Sequence, residues 1–207
     1  MPSRSTGGSR GLPPLAVVVL ALLLEGPMHA YRMQQLIKER HKDEVVNVVQ
    51  RNSIYQVIDR LRRSELIAVR ETAREGGRPE RTVYEITKRG AESATAWLRD
   101  TLATPATEFP VFPVALAFLP LLEVSDVRAR LRSRRDALEE ALRRADAELA
   151  APGNPPRLFL IEGEYQRALM AAELEWLRGV LEDLRTGVLG WTEEQLRDWA
   201  REAGPAD

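Results

Sequence analysis

Hydrophobic positions along the chain fall into two regimes. The first is a run of ten apolar residues, Leu15 to Leu24, opened by Pro13-Pro14 and closed by Gly26-Pro27. Proline is favoured at the first position of a helix and the Gly-Pro pair is a breaker, so the run predicts a buried first helix. Behind it, Met33, Leu36 and Ile37 recur at helical spacing, predicting a helix from Ala30 to Arg40. Glu44 to Val49 is short and valine-rich, consistent with a brief strand. Arg51 to Ser64 is the clearest helix of the front half. Ile54, Val57, Ile58 and Leu61 form one apolar stripe, and Asn52, Tyr55, Gln56, Asp59, Arg60, Arg62 and Arg63 hold the other face.

Period-two stretches follow. Ile67–Thr72 and Thr82–Ile86 read as strands, with Tyr84 and Ile86 on one face of the second. The breaker-rich segment from Arg74 through Gly76, Gly77 and Pro79 joins them, which makes a hairpin with a long basic tip. Thr87 suits the N-cap of a helix to about Leu102, anchored by Trp97 and Leu98.

The second regime begins after Ala103–Pro110, which holds two prolines and few apolar residues and marks a domain boundary. Val111–Leu122 is apolar but interrupted by Pro113 and Pro120. Ser125 suits the cap of a long helix to about Ala150, whose Leu131, Leu138, Leu142, Ala145 and Leu149 keep a heptad-like spacing. After the turn Ala151–Pro156, a second long helix runs from Arg157 to about Gly187. Two long helices joined by a short loop lie antiparallel. The last helix carries two apolar stripes: Leu158, Ile161, Tyr165, Ala168, Ala172 and Trp176, and beside it Met170, Leu174, Leu177, Leu181 and Leu184. One partner helix cannot cover both, so the cover is either the front domain or another copy of the chain; a homodimer is expected, with Leu174, Leu177, Leu181 and Leu184 as its face and the first helix as a candidate to close over the partner. The space near Tyr165 and Trp176 is the place expected for an effector. Trp176 otherwise reads as a core or dimer anchor.

Composition narrows the chemistry. The 207 residues contain no Cys and two His, His29 and His41, twelve positions apart. That removes disulfide scaffolds, thiolate metal sites and cysteine nucleophiles and leaves no multi-histidine metal site, so no metal and no cofactor is expected. Glu139-Glu140 and Glu193-Glu194 are adjacent and point to different sides of a helix, which gives no acid–base pair. With no phosphate-cradling loop or nucleophile-elbow motif either, the chain does not read as an enzyme. Ten apolar residues are too few to span a bilayer, which takes about 20. The run behind Arg4 and Arg10 imitates a signal peptide, but Met28-His29-Ala30 is a poor cleavage region and the core-helix reading is preferred. A cytoplasmic protein without membrane contact is expected.

The net charge of −1 conceals a division: residues 28–90 hold 14 Lys/Arg against 9 Asp/Glu, and residues 91–207 hold 14 against 21. A basic front and an acidic back suggest different partners for each half. Helix, helix, short strand, helix and hairpin is the order of a winged helix-turn-helix. Its third helix enters a DNA major groove and its wing reaches backbone or minor groove. Arg51, Asn52, Ser53, Tyr55, Gln56 and Arg60 are the candidate groove residues, and Arg74, Arg78 and Arg81 the wing cations. Tyr55 could instead pack at the edge of the core. Tyr31 reads as a helix-packing residue, His29 as a capping or packing residue, and His41 as part of a solvated charge run.

Three motifs carry a family resemblance. Gly26-Pro27-Met28-His29-Ala30-Tyr31 resembles the G-P-x-H-G-Y entry to the second helix of PadR-like transcriptional regulators. Ser53 to Leu61 resembles their recognition helix, T-L-Y-x-x-L-x-R-L, and Gly77 to Gly90 their wing, G-R-P-R-K-Y-Y-x-L-T-x-x-G. Glu173-Leu174-Glu175-Trp176-Leu177 is similar to the closing helix of members with a long, virulence-activator-like C-terminal domain. The resemblance implies a mainly α protein: a winged helix-turn-helix N-terminal domain plus a C-terminal antiparallel long-helix dimerisation domain. It implies a homodimer on palindromic double-stranded DNA, usually a repressor, in some members released by a phenolic acid or hydrophobic drug. Ala30 replaces the usual Gly, Arg51-Asn52 the common Pro-Gly and Val83 the first wing Tyr, so the operator sequence does not carry over. The boundaries expected are 1–11 for a disordered arm, 12–105 for the DNA-binding domain, 106–190 for the helical dimerisation and effector domain, and 191–207 for a tail. The alternative is a winged helix turned to protein–protein contact without operator binding.

Overall fold

The structure, a computed structural model, describes residues 11–40, 42, 52–73, 81–106, 109–202 and 204, with backbone alone at 52, 72, 73, 81 and 200. The candidate strand Glu44–Val49 therefore lies outside the described residues, as do the arm before residue 11 and His41. The chain divides into two compact units, Met1–Thr107 and Glu108–Asp207.

In the first unit, α1 spans Pro14–Glu25, β1 Met28–His29, α2 Ala30–Glu39, α3 Asn52–Arg63, β2 Ile67–Ala73, β3 Arg81–Ile86 and α4 Lys88–Ala103. Helix α1 is apolar on nearly every side because it is enclosed. Leu15, Ala16, Val17, Val19, Leu20, Leu22 and Leu23 are all buried, and α3, α4 and β3 of its own unit pack around it. The expectation that α1 might close over a partner is corrected accordingly. Among the described residues no helix is long and apolar enough to cross a membrane.

The sheet has the order β1-β3-β2, all antiparallel, with Met28 opposite Tyr84 and Ile67 opposite Ile86. A bulge between Val69 and Glu71 breaks the β2 register. Strand β1 is unforeseen. Two residues after a Gly-Pro pair leave no period to read, and its partner lies more than fifty positions away in sequence.

Helix α3 ends in a Schellman motif. The Leu66 amide donates to the Leu61 carbonyl (2.9 Å) and the Glu65 amide to the Arg62 carbonyl (2.9 Å). Glu65 sits in the left-handed region at φ 58°, and Leu61 and Leu66 are both buried in the core beside it. The carbonyl of Leu66 then accepts the Thr87 amide at 3.1 Å, and the Thr87 hydroxyl donates between the Glu65 and Leu66 carbonyls, at 2.8 and 3.1 Å. Thr87 in turn caps α4 by accepting the Gly90 amide at 3.0 Å. Gly90 is required there, since a Cβ would stand 2.0 Å from the Leu66 carbonyl oxygen. Gly90 and Ala94 are the buried residues of α4, whereas Leu98, expected as an anchor, is exposed and Trp97 is half-buried.

In the second unit, α5 spans Val111–Ala117, α6 Val124–Leu149, α7 Ile161–Thr186 and α8 Glu193–Glu202. Pro113 does not break α5, because it stands in the first turn, where its missing amide costs no intrahelical bond. Glu123, not Ser125, holds the N-cap position of α6, with no side-chain cap; Ser125 lies inside the first turn. Helices α6 and α7 form an antiparallel pair, cross-tied by Arg134–Glu173, Glu139–Arg178 and Asp146–Arg167. Gly187, at φ 80°, ends α7. Within the segment expected as a tail, α8 begins with a reciprocal capping box between Thr192 and Gln195.

Leu174, Leu177, Leu181 and Leu184 were expected to form the dimer face. All four are buried within the single chain: Leu177, Leu181 and Leu184 pack with Val127 and Leu131 of α6, flanked by Phe112, Leu119, Val124, Leu138, Val180, Leu189 and Trp191. Segments before α6 and after α7 add cover that a count of one partner helix leaves out. The stripe left open is the other one, with Leu158 75%, Ile161 57% and Tyr165 62% exposed.

Candidate nucleic-acid interface

The geometry of α3 follows from its sequence. Ile54, Ile58 and Leu61 are almost wholly buried and fix which way the helix faces. Tyr55, Gln56, Asp59, Arg60, Arg62 and Arg63 are exposed on the opposite side, and Ser53 is half-buried. Tyr55 is 52% exposed, so it is not a core residue with a wet edge. Asp59 engages two of the neighbouring cations: its carboxylate meets Arg62 at 3.4 Å and its carbonyl accepts Arg63 Nε at 3.3 Å. Arg60 meets no carboxylate among the described residues. Its guanidinium is thus available to an outside acceptor.

The structure brings Ser53, Tyr55, Gln56 and Arg60 onto one rigid helix. Arg51, Arg74 and Arg78 lie outside the described residues, and Asn52 and Arg81 are described in backbone only. The β-ladder places Arg81 opposite Ala73 at the base of the hairpin tip.

Tyr31, expected as a packing residue, is instead 61% exposed, because the buried face of α2 is Ala30, Met33, Leu36 and Ile37. That spacing leaves position 31 off the stripe, a signal present in the sequence. His29 is the N-cap of α2, its Nδ1 accepting the Arg32 amide at 3.0 Å. Tyr31 and Arg32 consequently sit exposed in the first turn of α2, with Arg32 also paired to Glu39 at 3.1 Å.

The effector space is also redrawn. Tyr165 and Trp176 are eleven residues apart on one helix, about 16 Å by helical rise, and do not meet. Trp176 lines a cavity with Pro110, Phe112, Pro113, Leu116, Arg134 and Glu173, and Tyr165 is not part of it. Arg134, on the facing helix, carries no sequence signal, and only the α6–α7 register brings it to Glu173 of the closing-helix motif.

Residues 19–96 match the family model described as the Transcriptional regulator PadR-like family. Among solved structures, Bacillus subtilis PadR in complex with operator DNA is similar at 18% identity, with a TM-score of 0.63 over 82% of this chain and 98% of that one. The same protein in complex with p-coumaric acid gives 18% identity and a TM-score of 0.65 over 83% and 98%. The PadR-like regulator BC1756 from Bacillus cereus gives 18% identity and a TM-score of 0.54 over 86% and 99%. At these identities the likeness establishes the fold. No curated protein matches. The buried stripe and open polar face of α3, the capped entry to α2, the β2–β3 hairpin and the match over residues 19–96 lead to one assignment: this segment of the chain is a PadR-like domain, similar to those of transcriptional regulators.

Proposed function

We propose that this DNA-binding transcriptional regulator is a repressor that occupies a two-fold operator as a homodimer and leaves it when a small hydrophobic or phenolic effector binds its helical unit. The observation that carries the reading is the split of α3, whose apolar stripe is buried while Tyr55, Gln56 and Arg60 stand open on the other face. A groove-reading helix needs that arrangement: its fold is fixed from behind and its donors are free in front. The excess of Lys/Arg in residues 28–90 supplies attraction to phosphate. Bacillus subtilis PadR, of like fold, has been solved with operator DNA and with p-coumaric acid, which supports both halves of the proposal.

The dimer surface we assign is the open stripe of the second unit, Ile161, Tyr165 and Leu169 on α7 with Leu158 in the turn before it, all exposed. On α6 the heptad positions Leu138, Leu142 and Leu149 are only half-buried, so the same end of the helix pair has apolar surface to cover. A two-fold interface of this kind supplies the symmetry that a palindromic site requires.

The test is fluorescence anisotropy with duplexes tiled across the DNA upstream of the coding sequence, against random duplex, at several salt concentrations. One duplex should bind at least about a thousandfold more tightly than random DNA, with strong salt dependence. Arg60→Ala should weaken that complex by about 1–3 kcal/mol with an unchanged melting temperature. Binding that neither discriminates sequence nor responds to salt would favour the protein–protein interaction module instead.

A further inference from the structure

The cavity of the second unit has a chemistry that the fold alone does not explain. It measures about 390 Å³ and lies between α5, α6 and α7. Pro110, Pro113 and Leu116 form an apolar wall. Phe112 and Trp176 meet edge to face, ring centroids 6.1 Å apart and planes at 86°. Into this corner Arg134 places its guanidinium 3.5 Å from the centre of the Phe112 ring, while its Nε donates to Glu173 at 2.5 Å. A flat cation over a ring face, a second ring at right angles and a carboxylate at the rim are the elements of a cage for an organic cation. In this chain the cage is filled by the protein's own arginine.

We propose that the cavity is a binding site for lipophilic aromatic cations, and that Arg134 is a built-in occupant which such a ligand displaces; this rests on the effector reading above and narrows it to the hydrophobic branch, since a phenolic acid is an anion. The occupant is held loosely. Arg134 and Glu173 are 38% and 30% exposed, so the guanidinium can swing on its flexible stem into water with little desolvation at stake. A ligand cation then takes over the Phe112 face and the Glu173 carboxylate, and adds apolar contact with Pro113, Leu116 and Trp176 that an arginine stem cannot make. An anion gains less. Arg134 is already committed to Glu173 and Phe112, and an incoming negative group would have to settle beside the Glu173 carboxylate. Displacement also opens the Arg134–Glu173 tie between α6 and α7 and the Arg134–Phe112 contact that holds α5 against α6.

Tetraphenylphosphonium and tetraphenylborate share size and shape and differ in the sign of their charge. Calorimetric titration of the full chain, without DNA, should show the phosphonium binding at least about tenfold more tightly than the borate. Glu173→Gln should weaken the phosphonium by about tenfold or more, Phe112→Leu should weaken it several-fold, and Arg134→Met should tighten it several-fold, each variant keeping its thermal transition. The direction of the Arg134→Met effect is the decisive reading, because an anion site would lose its ligand with that change. Preference for the borate, loss of binding in Arg134→Met, or no binding of either ion overturns the proposal. Adding the phosphonium to the operator complex separates the two readings: binding without release keeps the cage and removes the effector role.

Discussion

Gly90→Ala is a substitution on which two opposing effects can be weighed. In a helix, alanine is favoured over glycine by about 0.5–1 kcal/mol through backbone entropy. At position 90 the new methyl would lie 2.0 Å from the Leu66 carbonyl oxygen and 2.9 Å from Cγ1 of Ile86. The first distance is about 1 Å inside the closest approach that real Cβ atoms make, and the obstacle is backbone, which cannot rotate away. The first turn of α4 would have to lift, loosening the two hydrogen bonds from Thr87 to the Leu66 carbonyl. Overpacking costs typically about 1–3 kcal/mol, and a loosened hydrogen bond about 1 kcal/mol more. After the propensity gain, a net loss of about 2–3 kcal/mol remains, which for a unit of this size lowers Tm by roughly 10–20 °C. Gly179→Ala is the control. It makes the same change inside α7, where nothing lies within 4 Å of an added Cβ, and it should stabilise by about 0.5–1 kcal/mol. Differential scanning calorimetry of both variants reads the contrast. A Gly90→Ala protein as stable as Gly179→Ala would refute the close approach of α4 to the end of α3.

Three further outcomes are expected. Neutralising Arg78 and Arg81 together should reduce the magnitude of the log K against log salt slope by up to about two; lower affinity at an unchanged slope would mean that the wing acts by shape rather than charge. Ile161→Glu with Tyr165→Glu should yield a folded monomer by sedimentation, whereas Leu177→Glu with Leu181→Glu should unfold the second unit, since a buried unpaired carboxylate costs several kcal/mol; the opposite pattern would return the dimer face to the leucines. Arg40 donates to both oxygens of Glu25, at 2.5 and 2.8 Å, and this hydrogen bonding holds the Glu25 carboxyl below its ordinary value of 4.5. The pair's contribution is therefore present above pH 4.5 and lost as the pH falls through the lowered folded value. Both side chains are nearly half exposed, so Glu25→Gln should cost under about 1 kcal/mol at neutral pH, and a Tm difference from wild type that does not shrink on acidification would contradict the assignment.

What could be read from sequence was what depends on neighbours three or four positions away. The Ile54/Ile58/Leu61 stripe, the Thr87 cap and the β2–β3 hairpin are of that kind, and the structure contains them. Helix α8 belongs with them, since Thr192 followed by Gln195 is a local signal that was overlooked. The assignment of faces on α7 failed for a different reason. Both stripes are apolar, and the choice between them is made by Phe112, Leu119, Val124, Leu189 and Trp191, residues from beyond the helix pair whose positions no periodicity reveals. The Arg134 cage is equally non-local, since it exists only at the register where α6 and α7 pass one another.

The Leu66 carbonyl has a mechanical consequence. Its amide closes the end of α3, its chain leads into β2, and its oxygen holds the start of α4, so three elements are pinned at a single residue. These contacts resist a tilt of α3 that does not carry α4 with it. If the proposed operator-bound dimer forms, this pinning favours release by a change in the distance or angle between the two heads, like the jaws of a calliper. On that reading, half-site spacing, more than the identity of any one base, is the quantity that the proposed effector would alter.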